Sequence, residues 1–311
     1  METSQVVAES ALGRRGRKNT DQLIEEALAI EAEAAADAGA IGYMARALVQ
    51  ATMPHKATPE VVFERRNGKF SLAMMAHPKM GLPYGSIPRL LVAWVTTEAV
   101  RTKSRELELG SSLATFMREL DLAPTGGRWG TITRLRDQMK RLFSSSVSCL
   151  YEDDHDDAVL NIQVVEEARL WWDPKSPEQA ALWRSTIKLG QRFFEEAVNR
   201  PIPVDIRALK ALKRSPMALD IYCWLTYRMS YLKKPVEIPW EGLQTQFGAD
   251  YAPGSQGTRD FKKGFLKHLL AVQVVYPEAQ VREGKWGLIL MPSRTHVPPA
   301  RPRPPLLPDK K

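Results

Sequence analysis

The chain has few of the residues and patterns that form disulfides, metal sites or membrane spans. Its 311 residues include only two cysteines, Cys149 and Cys223, each in an apolar stretch and without CxxC spacing. Both are expected to be reduced core residues, which argues against a disulfide or zinc site and favours a cytoplasmic protein. No apolar run approaches the roughly 18 residues that a membrane span requires, and residues 1–12 lack the basic and apolar regions of an export signal. The chain is thus predicted to act in the cytoplasm, away from membranes.

Patterns that indicate enzyme chemistry are also scarce. The five histidines show no HxH or HxxxH spacing; they are His55, His77, His155, His268 and His296. There is no GxxxxGK(S/T) loop to hold the phosphates of a nucleotide. The acidic residues 153–157 carry carboxylates that suit Mg²⁺, but they fall between two predicted strands, where a polar hairpin loop is expected without any metal. We therefore expect a protein that is not an enzyme and that has no catalytic residues, metal or cofactor.

Basic residues, in contrast, are abundant and concentrate in two regions. Lysine and arginine total 44 against 36 aspartates and glutamates, which gives a net charge of +8. Residues 61–150 contain 14 basic and 7 acidic residues, and residues 166–311 contain 24 and 15. Two separate basic regions are typical of a protein that binds a polyanion such as double-stranded DNA.

The chain is long enough for two domains of ordinary size between two terminal segments. The predicted divisions are a flexible or helical N-terminal extension at 1–57, a first domain at 58–166, a second at 167–297 and a proline-rich tail at 298–311. Within the extension, Thr20 is a suitable N-cap for a helix, and ordered structure is expected from near Val61 onward. The basic cluster at residues 14–18 fits either a solvated tail or an arm on the DNA backbone.

The two basic regions repeat one order of predicted elements. In the first, a strand at 106–109 precedes a helix capped by Ser111 or Ser112, a Pro/Gly turn at 124–127, a helix at 130–143 and strands at 146–151 and 159–165. In the second, a strand at 236–238 precedes a helix at 240–247, a turn at 252–255, a helix at 258–270 and strands at 272–276 and 286–291. This is the order of a winged-helix domain, whose second helix enters the major groove. The predicted fold is α+β and helix-rich, with one winged-helix domain in each region.

The second helix of each unit combines an apolar back with a basic front. Its apolar residues recur at i, i+4 and i+8, as one buried stripe requires: Leu135, Met139 and Phe143, then Phe261, Phe265 and Leu269. Basic and hydrogen-bonding residues occupy the other positions and the second wing. The predicted DNA-binding residues are Arg128, Thr131, Thr133, Arg134, Arg136, Lys140 and Arg141, then Ser255, Gln256, Thr258, Arg259, Lys262, Lys263, Lys267, Arg282 and Lys285.

These residues are predicted to divide between base reading and phosphate anchoring. Arginine and lysine pair with guanine and glutamine pairs with adenine in the major groove. Base or near-base contacts are therefore predicted for Arg134, Arg259 and Lys263, with Gln256 suited to adenine. The predicted phosphate anchors are Arg128, Arg141, Lys262, Lys267 and Lys285.

Three longer stretches resemble one known family. They are IPRLLVAWVTTEA at residues 87–99, PTGGRWGT at 124–131 and SPMALDIYCWLTYR at 215–228. These stretches are similar to the RepA family of plasmid replication initiators, which includes TrfA-like proteins, and the resemblance covers about residues 60–295. The family implies binding to repeated origin sequences (iterons), opening of an AT-rich segment, loading of the host helicase, often with host DnaA, and control of plasmid copy number. It also implies homodimers that repress their own promoter and monomers that initiate.

One alternative function stays open. A winged-helix transcriptional repressor, including an autorepressor, needs the same DNA-reading helices and has no role in initiation. The N-terminal region and the two non-identical units favour an initiator, because a simple repressor requires neither.

Overall fold

The structure, a computed structural model, describes residues 14–50, 52–152, 157–179, 184–248 and 250–298. The helices are α1 (Arg14–Ala32), α2 (Arg46–Gln50), α3 (Ser86–Thr102), α4 (Leu113–Glu119), α5 (Thr131–Phe143), α6 (Gln191–Asn199), α7 (Ile206–Leu212), α8 (Pro216–Met229), α9 (Trp240–Phe247) and α10 (Ser255–Val275). The strands are β1 (Ile41–Met44), β2 (Val62–Asn67), β3 (Phe70–Met75), β4 (Glu106–Glu108), β5 (Ser146–Glu152), β6 (Asp157–Gln163), β7 (Val165–Arg169), β8 (Thr186–Leu189), β9 (Ile202–Asp205), β10 (Val236–Pro239), β11 (Val281–Glu283) and β12 (Gly287–Leu290). Within the described ranges, no helix has the length and apolar character needed to span a lipid bilayer.

Two units of the chain share one order of elements and one sheet topology. The first is α3–β4–α4–α5–β7–β8, and the second is α8–β10–α9–α10–β11–β12. In each unit the last strand lies between the other two, which gives the antiparallel sheets β4-β8-β7 and β10-β12-β11. A helix-turn-helix followed by a hairpin wing thus occurs twice. The predicted α+β fold with tandem winged helices is confirmed.

The wing of the first unit consists of residues other than those predicted. The strands predicted as this wing, at 146–151 and 159–165, fall mainly on β5 and β6, which pair with each other. However, β5 also pairs along most of its length with β3, and the hairpin therefore belongs to the separate sheet β2-β3-β5-β6. The β5–β6 hairpin is an insertion, and β7 and β8 hold the wing position beside β4. A local pattern indicates each strand, but it does not show which distant strand is the partner.

The predicted strand at 272–276 is also wrong, because α10 continues through this segment to Val275. Val272 and Val275 are buried and extend the apolar stripe of the helix beyond Leu269. Packing of this stripe outweighs the modest loss of helix propensity at β-branched residues. The first strand of the second wing is β11 instead, and it pairs with β12 across the turn at residues 284–286.

Ordered structure begins well before the expected start near Val61. Helix α1 begins at Arg14 rather than at Thr20 and contacts α7 and α10, while β1 pairs with β9. Several apolar residues that follow α1 are fully part of the core: Met44, Leu48, Val49 and Met53. Local patterns did not indicate this order, because β1 and α2 have four and five residues and are too short to show a period. Residues 1–13 and 299–311, which include nearly all of the predicted proline-rich tail, lie outside the described residues.

A buried polar cluster joins the two units where α3 meets α8. Arg89 of α3 donates to Asp220 of α8 through Nε to Oδ1 at 2.7 Å and through Nη2 to Oδ2 at 2.6 Å, and both residues are buried. Arg89 also donates to the backbone oxygens of residues 53 and 54 and of Gly85. His55 Nε2 lies 2.7 Å from Asp220 Oδ2. The segment before the first unit therefore takes part in the contact between the two units.

Both cysteines lie in the core as free thiols, which confirms the prediction. Burial raises the pKa of the Cys149 thiol to about 11 and raises the pKa of the Cys223 thiol further. Because only the thiolate is a strong nucleophile or metal ligand, neither cysteine is a reactive group near neutral pH.

Candidate nucleic-acid interface

Helix α5 packs one face into the first unit and turns the other towards solvent. Its buried inner residues, which include the predicted stripe, are Ile132, Leu135, Met139, Leu142 and Phe143. The exposed residues of the opposite face are Thr133, Arg134 and Lys140. Arg136 and Arg141 are half-buried at the sides of this face, and Arg128 is exposed in the preceding turn. The basic front predicted for this helix is therefore accessible to a ligand.

Hydrogen bonds between threonines shape the turn before α5. The Thr131 backbone N donates to Thr125 Oγ1, and the Thr125 backbone N donates to Thr131 Oγ1, both at 2.9 Å. Thr131 Oγ1 also donates to the Ala123 carbonyl, and Thr133 Oγ1 donates to the Gly127 carbonyl at 2.9 Å. The hydroxyl protons of Thr131 and Thr133 are thus engaged within the turn. Both residues position the start of the helix, a role that the sequence did not reveal.

An acidic residue, Asp137, lies within the solvent-facing side of α5. It shares this face with Thr133 and Lys140, because residues three and four apart are neighbours on a helix. Its Oδ2 accepts a hydrogen bond from Arg141 Nε at 2.8 Å, and the Arg141 guanidinium lies 5.4 Å from the centre of the Tyr84 ring. Arg141 is therefore held against the protein on two sides. Asp137 was not among the predicted site residues, although its i, i+4 spacing from Arg141 was a signal for the pair.

Helix α10 begins in a turn that requires two glycines. Gly254 has a φ of 91°, in the left-handed region where glycine has no steric cost. A Cβ on Gly257 would lie 1.7 Å from the Ala252 carbonyl oxygen, so the first turn of the helix lies directly on the preceding loop. This close contact fixes the direction in which α10 leaves the turn.

The outer face of α10 carries five exposed polar residues: Gln256, Arg259, Asp260, Lys263 and Lys267. Gln256 Nε2 donates to Asp260 Oδ1 at 3.1 Å, so its amide is oriented by a neighbour on the helix. Thr258 is half-buried and donates to Gln244 Oε1 of α9 at 2.7 Å, whereas Ser255 is exposed at the helix start. The stripe of Phe261, Phe265 and Leu269 is buried on the other side, as predicted.

Lys262 lies towards the second wing and not on this outer face. Its Nζ is 2.5 Å from Glu283 Oε1 of β11 and 5.2 Å from the centre of the Trp240 ring. Arg282 and Lys285 are exposed on the wing itself. The ion pair links α10 to its wing, so the basic residues of the wing lie beside those of the helix.

The positive charge of α10 near neutral pH comes from lysine and arginine alone. Burial lowers the pKa of His268, and the adjacent Lys267 lowers it further, so the imidazole is predominantly neutral at pH 7. His268 Nδ1 lies 3.0 Å from Ser215 Oγ, and this contact joins α10 to the start of α8. His268 therefore has a structural role on the side of the helix.

The basic surface of the first unit continues onto the turn between α7 and α8. Arg134 borders an open cavity of about 570 Å³ that is also lined by Lys213 and Arg214 of this turn. Lys213 Nζ lies 2.8 Å from the Asp121 carbonyl oxygen and also forms an ion pair with the Asp121 carboxylate, which ties the turn to the end of α4 and leaves Arg214 as the turn's main contribution to this surface. Neither residue was predicted as part of the site, because the turn lies outside the repeated helix-turn-helix pattern.

Across the residues that the structure describes, no group of three or more His, Cys, Asp or Glu side chains converges on a point where a metal ion would bind. Residues 153–156, most of the acidic loop considered as a Mg²⁺ site, lie outside the described residues. The side chains that define the candidate interface are the basic and hydrogen-bonding residues of α5, α10 and the second wing.

Comparison with known proteins identifies a family and a similar solved structure. A family model described as "Plasmid encoded RepA protein" matches residues 82–240, which run from the segment before α3 to the first residue of α9. A crystal structure of selenomethionine derivatives of domains 2 and 3 of RctB is similar, with a TM-score of 0.50 and 10% sequence identity. The similarity covers 79% of this chain and 98% of that chain, and at this identity it is evidence of a shared fold. No curated protein sequence matches the chain.

Proposed function

The chain belongs to the RepA family of plasmid replication initiators, and from that premise we propose that it binds iterons in the double-stranded DNA of a plasmid origin. The observation that carries the proposal is the pair of helices α5 and α10. Each occupies the second position of a helix-turn-helix, with its apolar side buried and its cationic side exposed. A B-form major groove, about 12 Å wide, accepts one such helix.

The two helices are proposed to read adjacent major grooves on one face of the duplex. Arg134, Arg259 and Lys263 make base or near-base contacts, and Gln256 reads adenine. The phosphate anchors are Arg128, Arg141, Lys262, Lys267 and Lys285. Arg136, Lys140, Ser255 and Arg282 are proposed to contact the DNA backbone, whereas Thr131, Thr133 and Thr258 are proposed to position the starts of the two helices.

Origin opening is proposed to follow from binding energy, without an enzymatic step. Several protomers on tandem sites bend the DNA, and a bend of 40–90° costs on the order of 1–6 kcal/mol, which the added contacts must offset. The strained duplex then separates in an adjacent AT-rich tract. The expected partners in the cytoplasm are host DnaA and the replicative helicase, and a homodimer is expected to repress the promoter of the gene.

The test uses a supercoiled plasmid that carries the DNA flanking the gene. Footprinting should show protection over two successive major grooves in each repeat, and permanganate should detect unpaired thymines beside the repeats only when the protein is bound. Arg259→Ala should weaken specific binding by roughly 1–3 kcal/mol and relax the preference at one base pair. Lys175→Ala, an exposed lysine outside both helices and both turns, is the matched control.

The outcomes separate the proposal from its alternative. Specific protection without unpaired thymines would favour a repressor that has no initiation role. Binding without preference among duplexes at moderate salt would contradict both functions.

A further inference from the structure

Three exposed tryptophans lie on the parts of the winged helices that flank the reading helices. Trp129 is 80% exposed in the turn between α4 and α5, Trp286 is 68% exposed just before β12, and Trp171 is 55% exposed just after β7. The other tryptophans whose side chains are described are buried or half-buried. Single exposed apolar residues are common, but large aromatic side chains are usually covered, and their placement here on turns and wings alone is informative.

Two of these rings each carry a basic group from the preceding residue. The Arg128 guanidinium lies 5.1 Å from the centre of the Trp129 ring, and Lys285 Nζ lies 4.7 Å from the centre of the Trp286 ring. A cation on one face of an indole is attracted to the ring and leaves the other face free. Each pair therefore presents an apolar plate beside a positive charge.

The backbone of Trp286 is held firmly at the tip of the second wing. Glu237 Oε1 accepts hydrogen bonds from the backbone N of Trp286 at 2.8 Å and of Gly287 at 3.0 Å. The pairing of Pro239 with Gly287 places this tip at the end of the sheet where α9 begins. The exposed indole thus projects from a constrained turn rather than from a loose loop.

Trp129 is also held next to a reading helix. The following residue, Gly130, donates its backbone N–H to the Gly127 carbonyl at 3.1 Å and is the N-cap residue of α5. The Thr125–Thr131 hydrogen bonds close the same turn. Trp129 therefore lies directly before the first turn of the helix proposed to enter the groove.

We propose that Trp129 and Trp286 pack against deoxyribose rings at the edges of the bound grooves, while Arg128 and Lys285 pair with the adjacent phosphates. The DNA backbone alternates apolar sugar with anionic phosphate, which matches an apolar plate beside a cation. Such contacts position the protein without reading sequence. This inference rests on the proposed function, since it requires a bound duplex.

The experiment compares alanine and phenylalanine variants by affinity and by hydroxyl-radical footprinting, which reports the exposure of deoxyribose. Trp129→Ala and Trp286→Ala should each weaken binding by roughly fivefold to tenfold, to a specific and to an unrelated duplex alike. Each should also lose sugar protection at one edge of the footprint and keep the rest. Trp129→Phe and Trp286→Phe should largely restore both, because phenylalanine retains an apolar plate.

Tyr231→Ala is a matched control. Tyr231 is exposed and lies 5.4 Å from the Arg228 guanidinium, so it is also an aromatic–cation pair. It precedes β10 at the end of the sheet opposite the wing tip, since Val236 pairs with Leu290. Removal of this ring should leave affinity and footprint unchanged.

The results distinguish a failure of this inference from a failure of the proposed function. If the wild-type protein binds a duplex specifically and the alanine variants match it in affinity and sugar protection, the tryptophan contacts are refuted while the function stands. If the variants lose affinity for single strands only, the rings stack on unpaired bases and the proposed backbone contact is wrong. If the wild type shows no specific duplex binding, the proposed function itself has failed.

Discussion

At the scale of single residues, two carboxylates form ion pairs with basic residues of the winged helices that are assigned to DNA. Glu283 holds Lys262 in the second unit, and Asp137 holds Arg141 in the first. Each carboxylate neutralises a side chain assigned to DNA and would itself face phosphates in a complex. Such pairs limit the affinity for arbitrary DNA, since that affinity depends mainly on the number of phosphates neutralised.

Replacement of Glu283 by Gln should therefore strengthen binding to duplexes of any sequence. The change releases Lys262 and removes a negative charge from the wing. The slope of log K against log salt should steepen by about 0.9 for each additional phosphate contact. Filter binding or fluorescence anisotropy between low and moderate salt measures this slope.

Glu195→Gln is the control, because Glu195 lies on α6 outside both helix-turn-helix segments and accepts a hydrogen bond from Gln191. An unchanged slope in Glu283→Gln would mean that this carboxylate does not restrain Lys262.

Some residue contacts of the site were predictable from the sequence, and others were not. The buried stripes were predictable, because i, i+4, i+8 spacing repeats along one helix face. The Asp137–Arg141 pair has the same kind of local signal. The Lys262–Glu283 pair has none, since its partners are separated by the end of α10 and a turn, and only the folded wing brings them together.

At the scale of elements, α4 depends on a capping residue at its start. The Ser112 hydroxyl accepts a hydrogen bond from the Thr115 backbone N at 3.1 Å, and Ser112 is buried. This satisfies one of the backbone N–H groups that a helix leaves unpaired in its first turn. The sequence allowed either Ser111 or Ser112 in this role, and the structure selects Ser112.

Ser112→Ala should lower the free energy of unfolding by about 1 kcal/mol, because it removes the side-chain acceptor at the N-cap. Ser111→Ala should change it by less than about 0.5 kcal/mol, since Ser111 is exposed and lies before the cap. Urea unfolding followed by circular dichroism measures both. Equal losses in the two variants would contradict the assignment of the cap.

Element boundaries were predicted well where the pattern was long and poorly where pairing decided the outcome. The helix at 240–247 was predicted to the residue, and α5 within one residue of its start. Both strands of the first wing and the first strand of the second wing were misassigned, for different reasons, whereas the strand predicted at 286–291 corresponds to β12. In the second unit, the β-branched run predicted as a strand at 272–276 belongs to the end of α10. In the first unit, the inserted β5–β6 hairpin has the sequence pattern of a wing, and only its pairing with β3 shows that it belongs to a different sheet.

At the scale of the whole molecule, the Arg89–Asp220 cluster fixes one winged helix to the other. Burial by itself would raise the pKa of Asp220, but the charge of Arg89 and hydrogen bonds from His55 and Arg89 hold it below its ordinary value. The carboxylate is therefore ionised and paired at neutral pH. This contact was not predictable from the sequence, because the partners are 131 positions apart and no local pattern connects α3 with α8.

Asp220→Asn should cost about 3–5 kcal/mol of unfolding free energy, because it leaves the charge of Arg89 buried without a counter-charge. Both units should become less stable, which hydrogen exchange of backbone amides in α5 and α10 can measure. Glu98→Gln breaks the ion pair with the exposed Arg101 and should cost less than about 1 kcal/mol. A loss in Asp220→Asn no larger than in this control would show that the cluster contributes little to the contact.

In the proposed complex with DNA, the buried junction between α3 and α8 also sets the spacing between the two half-sites. Two reading helices on a flexible tether would tolerate changes in the distance between their half-sites, whereas a rigid junction sets one separation and one angular offset. Five extra base pairs, about half a helical turn, would turn the second half-site to the far side of the duplex. In that complex, the spacing of the recognised bases would therefore depend on a salt bridge in the protein interior as much as on the side chains at its surface.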